Sequence, residues 1–443
     1  MIKQALNLSA GNLVSRCAFA FLTIGLAKLV SPAHYGAFSY AIAVTNVSSY
    51  LCELGIQKTY LREMARRTPL WADYSLTSLQ LRGLLFVVVC GGGYLAFPRL
   101  GLSESGLRCL QWMFAPGVLG LTLTNWISGA LLSRSKFGLL SMTRIRAAVV
   151  QVAIVGCGVW LSASDEQRIQ VLALCYGLGL LVGGCLGLRS LGLRKKWIRP
   201  KRFIRLSGRL LTGLQGYAFS GFLSMLAPAL GVLVLERSAP LAVVGTFALA
   251  VRVPQFLYTV PGAAAQTFYP ALFREARTRN WAAYDAIFRK ESVLLLIVGF
   301  AMAIVVLASA PLVSMVVGHS MDPGYQATLR QALHTGAGVV FVQSLSTPLG
   351  HALETMGKTG SRTAGQCCAV LVAILAYSLL GERYGVVGAM AAAVCTELTL
   401  YFSWLALALT RAKPVNAGKL VLPGIAGGVL IALAVVALRH FHG

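Results

Sequence analysis

The segment SVLLLIVGFAMAIVVLASAPLVSMVV, residues 292–317, contains no charged side chain. A helix needs about 20 predominantly apolar residues to cross the hydrocarbon core of a bilayer, so this segment predicts a membrane-spanning helix. Similar segments recur along the chain, and they are too long for transmembrane strands, which run about ten residues. We therefore predict an all-α polytopic membrane protein with thirteen spans, at residues 5–28, 35–56, 80–98, 109–133, 144–163, 169–188, 210–235, 241–268, 292–317, 331–353, 363–381, 385–409 and 420–438.

The composition agrees with this class. Of the 443 residues, 57% are hydrophobic and 12% are charged, whereas soluble proteins carry about a quarter charged residues. The net charge of +25 is also typical of chains that bind nucleic acid. Here the Lys and Arg lie between the apolar segments, so we expect membrane lipids, and no nucleic acid, as partners. The ten Cys show no CxxC or Cys/His spacing, and no metal site is predicted.

The distribution of basic residues predicts the orientation. With a cytoplasmic N-terminus, 29 of the 39 Lys and Arg fall on the cytoplasmic side and eight fall outside. The densest basic loop is RSLGLRKKWIRPKRFIRLSGR at 189–209, which we interpret as a topological anchor that also attracts anionic lipid. Every predicted outside loop is short, so we expect the function to lie within the membrane helices.

Two parts of the chain resemble each other. SPAHYGAFSYAIA at 31–43 matches APLAVVGTFALAV at 239–251, and Ala130-Leu131 with Lys136 matches Ala352-Leu353 with Lys358. Both copies begin on the same predicted side, so we predict two parallel-repeat six-helix lobes around a central cavity, an alternating-access architecture, plus one additional C-terminal helix. The predicted divisions are a first lobe at 1–191, a basic cytoplasmic linker at 192–209, a second lobe at 210–412, and the C-terminal helix and tail at 413–443.

The segment LVSPAHYGAFSYAIAVTNVSSYLCELGIQKTYLREMAR at 29–66, its counterpart at 239–278, and ALETMGKTGSR at 352–362 carry a family resemblance. They resemble the multidrug/oligosaccharidyl-lipid/polysaccharide (MOP) exporter superfamily, and within it the polysaccharide-biosynthesis or O-antigen flippases. The resemblance implies a flippase for undecaprenyl-pyrophosphate-linked oligosaccharide in the bacterial inner membrane, acting during surface polysaccharide and lipopolysaccharide biosynthesis. It implies association with a polysaccharide polymerase and glycosyltransferases.

The resemblance also bears on the cargo. Leu-Val-Ser-Arg at 13–16 is similar to the opening motif of the lipid II flippases of the superfamily, which carry an Arg of the first span in a cationic cavity. In this chain Leu22 and Thr23 stand where that motif has a second Arg and an acid. This difference disfavours lipid II as the cargo.

Two arginines lie deep in predicted spans, Arg16 in the first and Arg252 in the eighth. A charge at the bilayer centre costs roughly 2.5–3.5 kcal/mol on insertion scales, so such a residue is functional or paired. We predict that Arg16 and Arg252 bind the pyrophosphate or an acidic sugar, since guanidinium does not deprotonate and matches phosphate geometry. The other interpretation is a structural pair with a buried acid. Lys28 is a further candidate for substrate binding, or else snorkels to the interface.

Glu397 is the only carboxylate predicted well inside a span. We predict a coupling role, in which it carries H⁺ or Na⁺; the alternative is a partner for an Arg. Glu53, near the cytoplasmic end of the second span, is expected to pair with Lys58. No other cofactor is predicted.

Two other classes of membrane protein agree less well with the sequence. A cation-coupled drug or small-molecule antiporter of the same superfamily usually has an acid on the first span, where this chain has Arg16. A membrane enzyme such as a polymerase or ligase needs a sizeable outside loop with catalytic Arg or His, and none is predicted. With no GxxxxGK[ST] motif either, we predict a secondary-type transporter and not an enzyme.

Overall fold

The computed structural model describes residues 2–66, 70–99, 101–161, 165–191, 200–212, 214–318 and 323–411, and their regular structure is helical throughout. The helices are α1 (Ile2–Leu29), α2 (Pro32–Leu51), α3 (Ile56–Arg66), α4 (Trp71–Ala96), α5 (Glu104–Ser133), α6 (Phe137–Leu161), α7 (Asp165–Arg189), α8 (Pro200–Leu211), α9 (Leu214–Ser238), α10 (Leu241–Leu257), α11 (Thr259–Thr278), α12 (Trp281–Gly318), α13 (Pro323–Thr355) and α14 (Thr359–Arg411).

Seven of the described helices, α4–α7, α9, α12 and α14, are long and apolar enough to cross a bilayer, and the bent pair α10–α11 makes eight. Their outward surfaces carry large apolar side chains: Leu95 is 74% exposed and Trp160 is 90% exposed. A surface of this kind suits lipid and not water. The prediction of an all-α polytopic membrane protein is therefore confirmed.

The predicted count of thirteen spans is higher than the eight that length and apolar composition give for the described helices. Helices α2 and α13 lie where spans are predicted, but they contain too many polar residues to be counted. The first predicted span overlaps the shorter apolar segment Cys17–Leu29 of α1. The spans predicted at 363–381 and 385–409 form one helical run, α14, broken at Gly385 with φ 58° and ψ −136°. The last predicted span, 420–438, lies outside the described residues.

The chain divides into two compact units. The first holds the described residues up to Leu22 and those of Ala33–Ala229, and the second holds Thr23–Pro32 and the described residues from Leu230 onward. The division therefore falls within α9. The predicted lobe boundaries, at 191 and 210, stay a prediction.

In the first unit, small residues let α6 and α7 approach closely. A Cβ added at Gly183 would lie 2.9 Å from Ala147 Cβ, and one added at Gly187 would lie 3.0 Å from Thr143 Cγ2. Small residues at every fourth position are typical of helix pairs in membranes, where close packing replaces the hydrophobic effect as the driving force.

On the same unit, the short helices α3 and α8 pack beside the start of α4. Leu206 and Leu210 of α8 are buried against Tyr60, Met64 and Tyr74. Arg202 of α8 forms an ion pair with Asp73 of α4. The C-terminal part of the basic stretch 189–209 is therefore an amphipathic helix docked on the unit, with Ile204 left 69% exposed.

In the second unit, an apolar cluster lies between α12, α13 and the second half of α14. The cluster includes Phe341, Leu349, Tyr401 and Trp404, all buried. The indole of Trp404 packs where a Cβ at Gly350 or Gly365 would lie, 2.7 and 2.6 Å from its ring atoms. These glycines make room for the indole, whose Nε1 donates to the carbonyl of Arg362 at 3.0 Å.

The same turn closes α5 in the first unit and α13 in the second. The amide of Lys136 donates to the carbonyl of Leu131 at 3.0 Å, and that of Lys358 donates to Leu353 at 2.7 Å. Between them lie left-handed residues, Ser135 at φ 54° and Gly357 at φ 74°. This is the hydrogen-bond pattern of a helix C-cap with a left-handed residue. The matched positions of the predicted repeat thus adopt matching geometry.

Helix starts differ from the prediction where the first turns of a helix are less apolar than the rest of it. Helix α4 begins at Trp71 instead of residue 80, and α12 begins at Trp281 instead of residue 292. Their first turns mix polar and aromatic residues, so a hydropathy pattern alone does not include them. Arg82, predicted at a helix end, consequently lies well inside α4 and is 1% exposed.

Candidate functional site

A broken span in the second unit contains one of the predicted site residues. Helices α10 and α11 meet at Tyr258 with a bend of 41°. Pro254 lies inside α10, and proline removes one backbone hydrogen bond of a helix and bends it. Arg252 precedes this proline by two positions and is partly buried. Interrupted helices leave polar backbone groups inside the membrane region, and transporters place their sites at such breaks.

A chain of hydrogen bonds leads from this break to Glu397. The hydroxyl of Tyr258, at the end of α10, is bonded to Thr347 Oγ1 on α13. Thr347 Oγ1 donates to the carbonyl of Gln343, 2.8 Å away and one turn earlier. Gln343 Nε2 donates to Glu397 Oε1 on α14 at 2.7 Å. Side chains of α13 thus connect the break with the carboxylate.

The Gln343–Glu397 bond determines what this carboxylate can do. A hydrogen bond to an ionised carboxylate is about twice as strong as one between neutral groups. A carboxylate that receives one amide donor and lies partly buried inside a span can take up a proton or hold a small cation. Either event weakens the hydrogen bond to Gln343, which is a contact between α14 and α13.

The predicted site residues fall into three groups. Arg252 and Glu397 lie in the same unit, on α10 and α14, which pack against each other and against α13. Lys28 lies in the last turn of α1 and is exposed. Arg16 lies within α1, but its side chain is outside the described residues, so its role stays a prediction.

A buried acid–histidine pair was missed by the sequence analysis. Glu291 of α12 is fully buried, and its Oε1 lies 2.7 Å from His351 Nδ1 on α13. Among the described residues its Oε2 has no hydrogen-bond partner. The ring of Tyr269 lies 4.8 Å from that of His351. Glu291 directly precedes the span predicted at 292–317 and His351 lies near the end of the span predicted at 331–353, and no further pattern in the sequence joins them.

A second charged pair lies in the first unit, and it corrects an expectation. Glu53 was expected to pair with Lys58, but its Oε1 lies 4.0 Å from Arg82 Nη2. The ammonium of Lys58 instead lies over the ring of Tyr217, 5.6 Å from its centroid. Between the two residues lies the turn from α2 to α3, where Leu54 has φ 43° and Gly55 has φ 80°, so Glu53 and Lys58 do not share one helix.

Comparison with known families gives one match of more than half of the chain. A family described as "polysaccharide biosynthesis protein" matches residues 1–276. No curated protein matches the chain in sequence.

Solved structures with the same fold are transporters. The lipid II flippase MurJ, in an inward closed conformation, matches with a TM-score of 0.72 at 12% identity, covering 98% of each chain. An inward-facing multidrug resistance MATE family transporter of the MOP superfamily gives 0.70 at 13% identity, covering 98% of this chain and 96% of that one. A MATE transporter of Vibrio cholerae gives 0.62 at 14% identity, covering 94% and 98%. At these identities the likeness establishes the fold.

Proposed function

We propose, from the premise that this chain belongs to the polysaccharide biosynthesis protein family, that it flips undecaprenyl-pyrophosphate-linked oligosaccharide across the bacterial inner membrane. The cargo is a repeat unit of a surface polysaccharide such as O-antigen. It moves from the inner to the outer leaflet by alternating access, and the N-terminus of the protein is cytoplasmic. The chain is an integral membrane protein with the fold of MOP-superfamily transporters, and the proposal adds the cargo, the direction and the membrane.

The observation that carries the proposal is Arg252 beside the broken span. A pyrophosphate group that enters a membrane protein loses its hydration and needs cations in a region of low dielectric constant. Arg252 supplies a permanent charge two positions before Pro254, where the helix is interrupted. Arg16 supplies a second charge on the first span. In the proposal both guanidinium groups contact the pyrophosphate, and Lys28 attracts it near the C-terminal end of α1.

Glu397 is the coupling residue in the proposal. Ionised, it holds Gln343 through a 2.7 Å bond, and Gln343 lies one turn from Thr347 and its bond to Tyr258. Binding of H⁺ or Na⁺ to the carboxylate weakens this hold on α13. In the proposal, binding of the coupling ion thereby changes the conformation of the break between α10 and α11, beside Arg252. This change links the ion gradient to release of the pyrophosphate.

The proposed partners follow from the cargo. Glycosyltransferases assemble the lipid-linked unit at the inner leaflet, and a polymerase consumes it at the outer leaflet. The protein itself then requires only binding and release, since the energy comes from the coupling ion or from consumption of the product.

The drug or small-molecule antiporter stays the alternative function, because the fold is shared with MATE transporters. Cationic drugs are bound by carboxylates, whereas the predicted intramembrane site has two arginines and the chain a net charge of +25. These charges favour an anionic cargo.

Genetic complementation tests the proposal. A strain whose surface polysaccharide requires this protein should lose the polymer when it carries Arg16→Ala or Arg252→Ala, while the variant still inserts in the membrane. Arg237→Ala, at an exposed position near the end of α9, is the matched control and should keep the polymer. Normal polymer with both Arg16→Ala and Arg252→Ala would contradict the cationic site.

A further inference from the structure

A pocket of about 570 Å³ lies on the first unit between the start of α6 and the end of α7. This volume is within the range of about 300–1,000 Å³ usual for small-molecule sites. Its lining joins two arginines, Arg146 and Arg189, with the apolar side chains of Val149, Val150 and Leu186. The pocket is separate from the broken span, which belongs to the second unit.

The helical spacing explains why charged and apolar groups share the pocket. On α6, Arg146 is followed three and four positions later by Val149 and Val150, so all three lie on one face. On α7, Leu186 precedes Arg189 by three positions and also lies on its face. The two helices are consecutive and run in opposite directions, so both arginines lie at one end of the pocket and the apolar side chains lie deeper.

The close packing of α6 and α7 leaves the pocket open beside their contact line. Gly183 and Gly187 of α7 bring its backbone against Ala147 and Thr143 of α6. Val149 remains 60% exposed and Leu186 remains 38% exposed, so the apolar part is accessible from the surrounding lipid.

Within the described residues, no acidic side chain neutralises the positive charge at the pocket. In the described part of the chain neither Arg146 nor Arg189 forms an ion pair. Residues 192–199, which follow Arg189 in sequence, add four basic residues and no acid. The positive-inside pattern predicts that this end of the helices is cytoplasmic, where the leaflet is rich in anionic lipid.

We propose that this pocket binds one anionic glycerophospholipid of the bilayer. The phosphate lies between Arg146 and Arg189, and the acyl chains continue along Val149, Val150 and Leu186. Basic pockets between transmembrane helices at the cytoplasmic side are suited to such headgroups. An apolar floor open to the bilayer favours a phosphate that carries acyl chains over free phosphate, because the acyl chains of the same molecule cover the valines and the leucine.

Native mass spectrometry of the purified full chain in detergent tests this site. Phosphatidylglycerol should bind more tightly than phosphatidylcholine. Each basic residue near a headgroup contributes about 1 kcal/mol, which is about a fivefold change in affinity. We therefore expect phosphatidylglycerol affinity to fall about fivefold in Arg146→Gln or Arg189→Gln and about thirtyfold in the double variant. Arg146→Lys and Arg189→Lys should stay close to the wild type.

Two further variants control for charge and for folding. Lys136→Gln removes the same charge at an exposed position after α5, outside the pocket lining, and should leave phosphatidylglycerol affinity unchanged. Val149→Trp fills the apolar part at an exposed position without changing charge, and should weaken binding although both arginines remain. The melting temperature in lipid-free detergent should not change in any of these variants.

Several results would overturn the assignment. They are equal affinity for the two phospholipids, an equal loss of affinity in Lys136→Gln and Arg146→Gln, or full affinity in the double arginine variant. Displacement of phosphatidylglycerol by equimolar undecaprenyl pyrophosphate would also overturn it, since the pocket would then bind the proposed cargo and not a resident phospholipid.

Discussion

Gln343 Nε2 on α13 lies 2.7 Å from Glu397 Oε1 on α14, although 54 residues separate them in sequence. The side-chain amide of Gln343 donates to the carboxylate, and the backbone carbonyl of Gln343 accepts a hydrogen bond from Thr347 Oγ1. A change in the charge of Glu397 therefore acts directly on a side chain of α13. This relationship gives a physical basis for the coupling role proposed for Glu397.

Glu397→Gln should remove the dependence of transport on the ion gradient. The amide cannot ionise, so it fixes the uncharged form, while it still bonds to Gln343 through its oxygen. In vesicles with a proton or sodium gradient, the wild type should flip the lipid-linked oligosaccharide faster than without one, and the variant should be indifferent. Glu382→Gln, an exposed acid on the same helix, is the control and should respond like the wild type. A gradient response in Glu397→Gln, or none in the wild type, would refute the coupling role.

His351→Leu should destabilise the protein by about 3 kcal/mol. The substitution leaves the fully buried carboxylate of Glu291 without its only partner among the described residues, and breaking a buried pair typically costs 3–5 kcal/mol. The free energy of unfolding in denaturant and mixed detergent measures this cost.

A double-mutant cycle provides the control for this pair. Glu291→Leu with His351→Leu removes both polar groups and should cost less than the two single variants together. Additive costs would show that the two side chains do not interact, and the structural assignment of the pair would be wrong.

Ser135→Gly should stabilise the protein by about 0.5–1 kcal/mol. Ser135 has φ 54° in the turn after α5, a left-handed conformation that costs a non-glycine residue roughly 1 kcal/mol. Gly357 occupies the corresponding turn after α13 at φ 74°, so Gly357→Ser should destabilise by a similar amount. Thermal unfolding in detergent measures both. Destabilisation by Ser135→Gly, stabilisation by Gly357→Ser, or no effect at either position would contradict the turn geometry.

Reporter fusions test the predicted orientation. An enzyme active only outside the cytoplasm should give no signal when inserted within residues 192–209, since that loop is the most basic of the chain. The same reporter inserted at Gly101, between α4 and α5, should give a strong signal because three predicted spans separate it from that loop. The reverse pattern would overturn the cytoplasmic N-terminus.

Helix positions could be predicted because each apolar segment carries its own signal. The segment 292–317 can only be a buried or lipid-facing helix, whatever surrounds it, and it lies within α12. One match of the predicted repeat could also be read from the sequence, because Ala130-Leu131 and Ala352-Leu353 precede turns with the same hydrogen bonds. The start of α4 was predicted wrongly. The residues from Trp71 to Arg82 are helical, but their polar composition does not distinguish them from a loop.

Side-chain partners could not be predicted, because they depend on how each helix is rotated about its axis. Glu291 and His351 are 60 residues apart, and a rotation of α12 by a third of a turn would separate them. Glu53 lies five positions from Lys58, yet the left-handed residues of the turn direct it toward Arg82. The role of Glu397 was predicted from its isolation in an apolar span, while its donor Gln343 left no recognisable pattern.

The most direct measurement is flipping of undecaprenyl-pyrophosphate-linked oligosaccharide in vesicles that contain only the purified protein. We predict that the wild type exposes the sugar at the opposite leaflet, where an added glycosidase cleaves it, and that Arg252→Ala slows this at least tenfold while Arg237→Ala does not. Equal rates in wild type, Arg252→Ala and protein-free vesicles would contradict the assignment of this protein as a flippase.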